Sequence, residues 1–567
     1  MTLVESPPWE SPQWQEAVSQ NPGLAPFFDN LESFVELPEG VEKLREMILD
    51  LAVRGNLAEQ DSKDAPAFEL LERIAEKRQR LEKAKEIRKK KYPPPPNDDE
   101  VPHALPHGWA WTRLSIIGEI GPRNDVDDSL EVSFLPMKTI ADGFTSSIEP
   151  EVRPWGEIKK GFTHVADGDI ALAKITPCFQ NRKSAVIRGL LNGVGAGTTE
   201  LHVVRPIGDG IVAEYALLHL KCLSFLNVGV SKMTGSAGQK RVPKEYFADT
   251  PFPLPPLAEQ RRIVSKVEGL MSLCDTLESQ RRSRESVRER ASRSVLASLT
   301  SAPAKAANGG AKVAKGETLQ SSWQRLSDHF EVLLDQPSGP EHLRQSILQL
   351  AVQGKLVPQD PSDEPASIES METLVGRKNL QNGLSPKSTS AETPYRCLRL
   401  SAMRDNLIDC SDAKPVPITD EQAERYAINK NDIFIIRGNG SKDLVGRAGI
   451  VREQPTNAIF PDLFIKCPVR TDLIALDYFL VAWNSPQARA DLENLAQTTS
   501  GIWKVNQGHI ASMTLPVPSL AEQKRIVSKV SVLLSQLDEL SARLRSRQST
   551  TDALLTALIH QILAVEP

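Results

Sequence analysis

Two stretches of the chain carry a narrow apolar seam on a long polar background. In 257–300, Ile263, Val267, Leu270, Cys274 and Leu277 step by four and three, the a/d spacing of a coiled-coil helix. Ile526, Val530, Leu533, Leu537, Leu540 and Leu544 repeat it. Each segment follows a proline-bearing run, and neither is interrupted by proline, so each predicts one helix of ~65 Å. Such a helix either lies on its own domain or pairs with the other copy. The narrowness of both seams favours mutual pairing. A shorter helix is predicted where Leu44, Met47, Ile48 and Leu51 share one face, with Gly55 as its cap. Strand-like runs are DGDIALAKI (167–175) and NDIFIIRG (431–438); helix-like runs are 213–226 and 475–489. Residues 69–91 read as a charged helix, with nine Lys and Arg between Lys77 and Lys91.

These elements occur twice. LAEQRRIVSKV (257–267) and LAEQKRIVSKV (520–530) differ at one position, at an offset of 263. LREMILDLAVRGNLAEQD (44–61) matches LRQSILQLAVQGKLVPQD (343–360) at an offset of 299. The 263 offset also superposes Asp169-Ile170 on Asp432-Ile433, Lys174 on Arg437, Gly238 on Gly501 and Arg241-Val242 on Lys504-Val505. The first copy therefore holds extra residues ahead of its globular domain, with the charged helix and PPPPNDDE as candidates. LPHGWAWTRL (105–114) has only a vague counterpart, TPYRCLRL (393–400). The predicted order is an N-terminal region with proximal and basic helices (1–104), a globular domain (105–256), a long helix (257–300), a flexible linker (301–320), a second proximal repeat (321–390), a second globular domain (391–519) and a second long helix (520–567). The fold class is α+β: two mixed α/β domains with two long helices, as an internal repeat.

Composition narrows the function. Hydrophobic residues are 40% and charged residues 25%, as in globular chains, and no apolar run of ~18 residues predicts a membrane span. The N-terminus lacks a signal-peptide pattern, so a cytoplasmic location is expected. Six scattered cysteines with no CxxC predict neither disulfides nor a zinc site. The net charge of −5 rules out a uniformly basic surface but not local nucleic-acid contacts.

Catalytic motifs are absent or incomplete. GVGAG (193–197) resembles a cofactor turn, but its counterpart NAIFP (457–461) has no glycine, so a plain loop is expected. PDLFIK (461–466) has Phe464 where a metal nuclease needs an acid, leaving Asp462 structural. What remains is polar and basic. In the first copy the candidates are Lys174, Thr176, Gln180, Asn181, Arg182 and Lys183, then Lys232, Gly238, Gln239, Lys240 and Arg241. In the second they are Arg437, Asn439, Lys442 and Arg447, then Ser500, Gly501, Trp503, Lys504 and Asn506. Cations neutralise phosphates, amides and hydroxyls reach base edges, and glycine admits close backbone approach. On these residues the chain is either a bivalent DNA reader or a bivalent protein scaffold.

PLPPLAEQRRIVSKV, LPVPSLAEQKRIVSKV, LPHGWAWTRL, the Ser500-Gly501…Lys504-Val505 element and LRxxILxLAVxGxL resemble the specificity subunits of type I restriction–modification systems. Ala237-Gly238 replaces Ser-Gly in copy one, and copy two has no clear LPxGW. The resemblance implies two target-recognition domains, each reading half of a split, asymmetric site in double-stranded DNA. It also implies an antiparallel coiled coil of the long helices with pseudo-two-fold symmetry. Implied partners are two modification subunits, similar to N6-adenine methyltransferases that use S-adenosylmethionine, and restriction/translocase subunits that use ATP and Mg. This chain would carry no cofactor and no catalytic residue.

Overall fold

The structure is a computed structural model that describes residues 39–301 and 339–563 apart from Ala237, Gln359 and Ser500, together with single residues 12, 19 and 35. The expected linker and most of the region before the first proximal helix lie outside the described residues. The chain divides into two compact units, Met1–Ser283 with Arg547–Pro567, and Arg284–Ser546.

In the first unit the proximal helix Gly40–Arg54 buries Leu44, Met47, Ile48 and Leu51 and ends at Gly55 in the left-handed region. The strand Ala110–Arg113 pairs antiparallel with Pro251–Leu254. Two four-stranded sheets follow. One is antiparallel and orders Gly118–Ile120, Leu201–Pro206, Ile170–Ala173 and Ser184–Val186; the other orders Glu151–Pro154, Glu131–Leu135, Val194–Gly197 and Thr163–Ala166. Helices Ala213–Lys221 and Leu223–Lys232 complete the expected helical run, broken at Cys222.

The second unit repeats the plan from Gly339–Val352 onward. Ser367–Ser370 pairs antiparallel with Thr514–Val517, a six-stranded sheet is built on Ile433–Ile436, and helices Leu476–Trp483 and Pro486–Leu495 follow. The counterpart of the first copy's leading strand is therefore Ser367–Ser370, not 393–400 as the sequence suggested. Ile368 stands opposite Pro516 and Glu369 opposite Leu515, and no Trp marks the strand as Trp111 marks the first. The second domain accordingly begins ahead of 391.

The long helices run Leu257–Ser301 and Leu520–Leu563. The motif at their start has a structural reason. Gln260 and Gln523 are fully buried. Gln260 Oε1 accepts from Val212 N at 2.8 Å, and its Nε2 donates to Pro255 O at 3.0 Å. Gln523 does the same with Ala475 N at 2.7 Å and Pro518 O at 2.9 Å. Each glutamine thus ties the start of its long helix to the N-terminus of an earlier helix of its unit, Ala213–Lys221 or Leu476–Trp483, satisfying backbone groups that no apolar residue could. Ile263, Val267, Leu270, Cys274 and Leu277 share one core with the first proximal helix, and Ile526, Val530 and Leu537 share another with the second. The first half of each seam therefore packs on its own unit rather than being reserved for mutual pairing. Ion pairs reinforce this: Arg45 meets Asp275 at 2.6 Å and Glu278 at 2.9 Å, and Arg344 meets Asp538 at the equivalent place.

Three sequence readings change. The charged helix is Ala67–Lys83, not 69–91; it ends because Lys85 turns left-handed (φ 60) and Tyr92 folds back, its hydroxyl donating to Glu82 at 3.0 Å. GVGAG is the strand Val194–Gly197 rather than a loop. A Cβ at Gly195 would stand 2.2 Å from Ser133 O, so glycine here admits a neighbouring strand rather than a phosphate. The six cysteines are free, and burial pushes the thiols of Cys222 and Cys274 up to about 12.

Candidate nucleic-acid interface

In each copy the loop after a central strand is laced to a hairpin further along. In the first, Ile175 bridges Arg241, which in turn bridges Thr234. In the second, Gly438 pairs with Lys504, and Lys504 with Gln497. Each of these positions is 263 residues on from its partner in the first copy. Val242 N donates to Lys174 O at 2.8 Å, and Val505 N to Arg437 O at 2.9 Å, closing the lattice identically. Thr176 adds a tie of its own: its N donates to Lys240 O at 2.9 Å, and its hydroxyl accepts from Lys240 N at 3.2 Å. The hairpins turn at Gly238 (φ 79) and Gly501 (φ 78), with open space beside both. An L side chain would be strained there, and the bare backbone is free to approach a ligand.

Around this lattice the candidate side chains divide. Lys232, Gln239, Lys240, Gln180 and Asn181 are exposed, as are Lys504, Asn506 and Arg447. Lys174 is half-buried at the root of its loop. Trp503 is half-buried, and Lys442 Nζ lies 5.1 Å from its ring centroid, a cation–π contact that leaves an aromatic face beside a cation. Asn439 accepts from Ser441 N at 2.9 Å, and Asn506 caps the helix Gln507–Ala511 through His509 N at 2.9 Å. Arg437 donates to Asp462 O at 3.3 Å, and Arg447 to Asp443 O at 3.0 Å. Ser500 lies outside the described residues.

Three cations of the sequence reading have other work. Arg182 is buried, with Glu46 at 2.5 Å, Glu42 at 3.6 Å and the Phe144 ring centroid at 4.8 Å. Lys183 donates to Ile140 O at 2.8 Å and pairs with Asp142 at 2.8 Å. Both hold the loop in the domain and do not face outward. Arg241 is clasped by Glu200 at 2.8–3.2 Å, and this guanidinium holds the Glu200 carboxyl below its ordinary value. Buried Lys221 reinforces the first loop by donating to Gly143 O and Arg182 O, both at 2.8 Å; burial lowers its ammonium to about 7. In the second copy Arg489 does this work, donating to Val445 O at 2.5 Å.

The sequence reading missed one element. Met403–Arg404 and Leu407–Ile408 form a two-residue hairpin with Asp405 and Asn406 both at positive φ. Its tip, with Asn439 and Arg447, lines a cavity of about 570 Å³ beside the second lattice. The signal was there: Asp-Asn between short strands is a turn pair suited to a type I′ hairpin. Among the described residues, no group of three or more His, Cys, Asp and Glu is placed to hold a metal, and no helix is long and apolar enough to cross a membrane.

The exposed cations and the clasped one should behave differently. We predict that Lys240→Gln and Lys504→Gln each flatten the salt dependence of DNA binding by about one unit, whereas Arg241→Gln changes it by much less. A salt titration of binding for the three variants checks this; an equal effect of Arg241→Gln would mean that Glu200 releases it on DNA.

Residues 131–284 and 410–547 match the family described as type I restriction modification DNA specificity domain. The specificity subunit of the type I restriction enzyme EcoEI of Escherichia coli is 36% identical over 92% of this chain and 93% of its own length. That of EcoAI, also from Escherichia coli, is 50% identical over 58% of this chain and 54% of its own. A crystal structure of the HsdS subunit from Thermoanaerobacter tengcongensis aligns at 20% identity over 82% of this chain and 97% of that one, with a TM-score of 0.38. Matched by that family in both of its copies, and by a relative along nine-tenths of its length, the chain belongs to the specificity subunits of type I restriction–modification systems.

Proposed function

We propose that the two lattices read the two halves of a split DNA site, one half per copy, and that the chain does so without chemistry of its own. The observation that carries this is the pair of loop-and-hairpin lattices, equivalent in register but different in their exposed side chains. Lys240, Gln239 and Lys232 fall, at the offset of 263, where the second copy has Trp503, Ile502 and Leu495, and Lys504 and Asn506 fall where the first has Arg241 and Pro243. One scaffold with two sets of contacts suits an asymmetric target. Methyltransferase subunits would dock on the helices, and restriction subunits would join them. S-adenosylmethionine, ATP and Mg would belong to those partners. The second halves of the long helices would pair antiparallel.

The test is an exchange of 497–507 for the equivalent segment of a relative with a different target, read by sequencing the methylated motif of the assembled complex. We expect one half of the motif to change and the other to persist. A change in both halves, or in neither, overturns independent reading.

A further inference from the structure

The first copy carries a segment with no counterpart in the second. Beyond the helix Ala67–Lys83 the chain runs through Lys85, Arg88, Lys89, Lys90 and Lys91, all exposed and none with a carboxylate within ion-pair distance among the described residues. The segment is pinned to the domain along its length. Glu86 N donates to Leu81 O at 3.0 Å, and Ile87 packs against the core. The Arg78 guanidinium lies 4.2 Å from the Tyr92 ring centroid, and Arg113 Nε donates to Pro94 O at 2.9 Å. Arg88, Lys90 and Lys91 line one surface groove of about 210 Å³ with Lys244, the first residue of the helix Lys244–Asp249 that follows the first reading hairpin. Two acids, Glu119 and Asp249, share that groove with the four cations; Asp249 also accepts from the Ser115 hydroxyl at 2.6 Å.

We infer that Lys85–Lys91 is an anchored basic strap that grips the DNA phosphate backbone beside the first half-site, extending the contact surface on that side only. Four consecutive cations held by their backbone against a folded domain form a dense positive patch that a polyanion would neutralise. The groove joins them to Lys244 and so to the reading hairpin. Phosphate contacts add affinity without sequence preference, so the strap strengthens binding and leaves the motif unaltered. This rests on the DNA reading proposed above.

The test compares the full chain with the variant Arg88→Gln/Lys89→Gln/Lys90→Gln/Lys91→Gln on pooled random duplexes over a range of salt, sequencing the bound fraction. The expected result is a salt slope flatter by about two to three units, with both halves of the selected motif unchanged. Tyr92→Ala keeps every charge but frees the anchor, and is expected to flatten the slope by about one unit. A motif still selected at an unchanged slope by the quadruple variant overturns the strap while leaving the DNA reading intact; that is also the outcome if the strap faces an acidic partner protein. An unchanged slope for Tyr92→Ala alone overturns the anchored geometry. A wild-type chain that selects no motif takes down the DNA reading, and the strap with it.

Discussion

Arg182→Met is expected to destabilise the first unit by about 3 kcal/mol and to leave the salt dependence of DNA binding unchanged in whatever protein remains folded. Arg182 joins its loop to the proximal helix through Glu46 at 2.5 Å, and both side chains are about nine-tenths buried. Removing one partner leaves the other charge in a poorly hydrated site. Lys43, 3.2 Å from Glu46, softens the loss, which keeps the expected figure at the lower end of the range for buried pairs. Arg182→Met combined with Glu46→Leu removes both charges and should recover most of the stability. Denaturant unfolding of the four members of this cycle measures the coupling. Lost DNA affinity at unchanged stability would return Arg182 to the DNA-contact set where the sequence placed it.

Arg182 also shows where sequence reading runs out. In KITPCFQNRK every cation looks alike, and nothing in the segment says which will fold inward. The deciding partners, Glu46 and Phe144, lie 136 and 38 residues away and are brought in by tertiary packing. Arg241 is similar, its clasp Glu200 arriving from the turn before the strand Leu201–Pro206. Features written locally were legible. The seams of the long helices, the cap at Gly55 and the strands around Ile170 and Ile433 all follow from period and turn chemistry. The repeat was legible too, because one fold written twice keeps its register: Ile175 with Arg241 and Gly438 with Lys504 fall on the same offset. The leading strand Ser367–Ser370 was missed because only its backbone pairing is shared with the first copy. The packing of each seam's first half on its own unit could not be told from mutual pairing, since both bury the same face.

That division of each seam sets where a length change can be made. If the second halves of the long helices pair antiparallel, the recognition domains stand at opposite ends and helix length fixes the gap between half-sites. The residues from Ile263 to Leu277 belong to the first unit's core, so an insertion among them would disrupt the domain. One heptad added after Ser283 and one after Ser546 falls where the chain passes between its two compact units, and preserves the a/d phase of both helices. Seven residues lengthen each helix by ~10 Å, which matches roughly three base pairs at ~3.4 Å each. Three base pairs also turn the second half-site by about 100°, whereas a whole heptad scarcely rotates the domain that must follow it. The expected result is therefore a preferred gap longer by about three base pairs, with weaker binding at the new optimum than the parent shows at its own. Binding of the lengthened chain, assembled with the methyltransferase subunits proposed above, to duplexes of graded gap measures both quantities. An unchanged preferred gap in a folded, methylating complex would mean that the helices hold partners and do not measure distance.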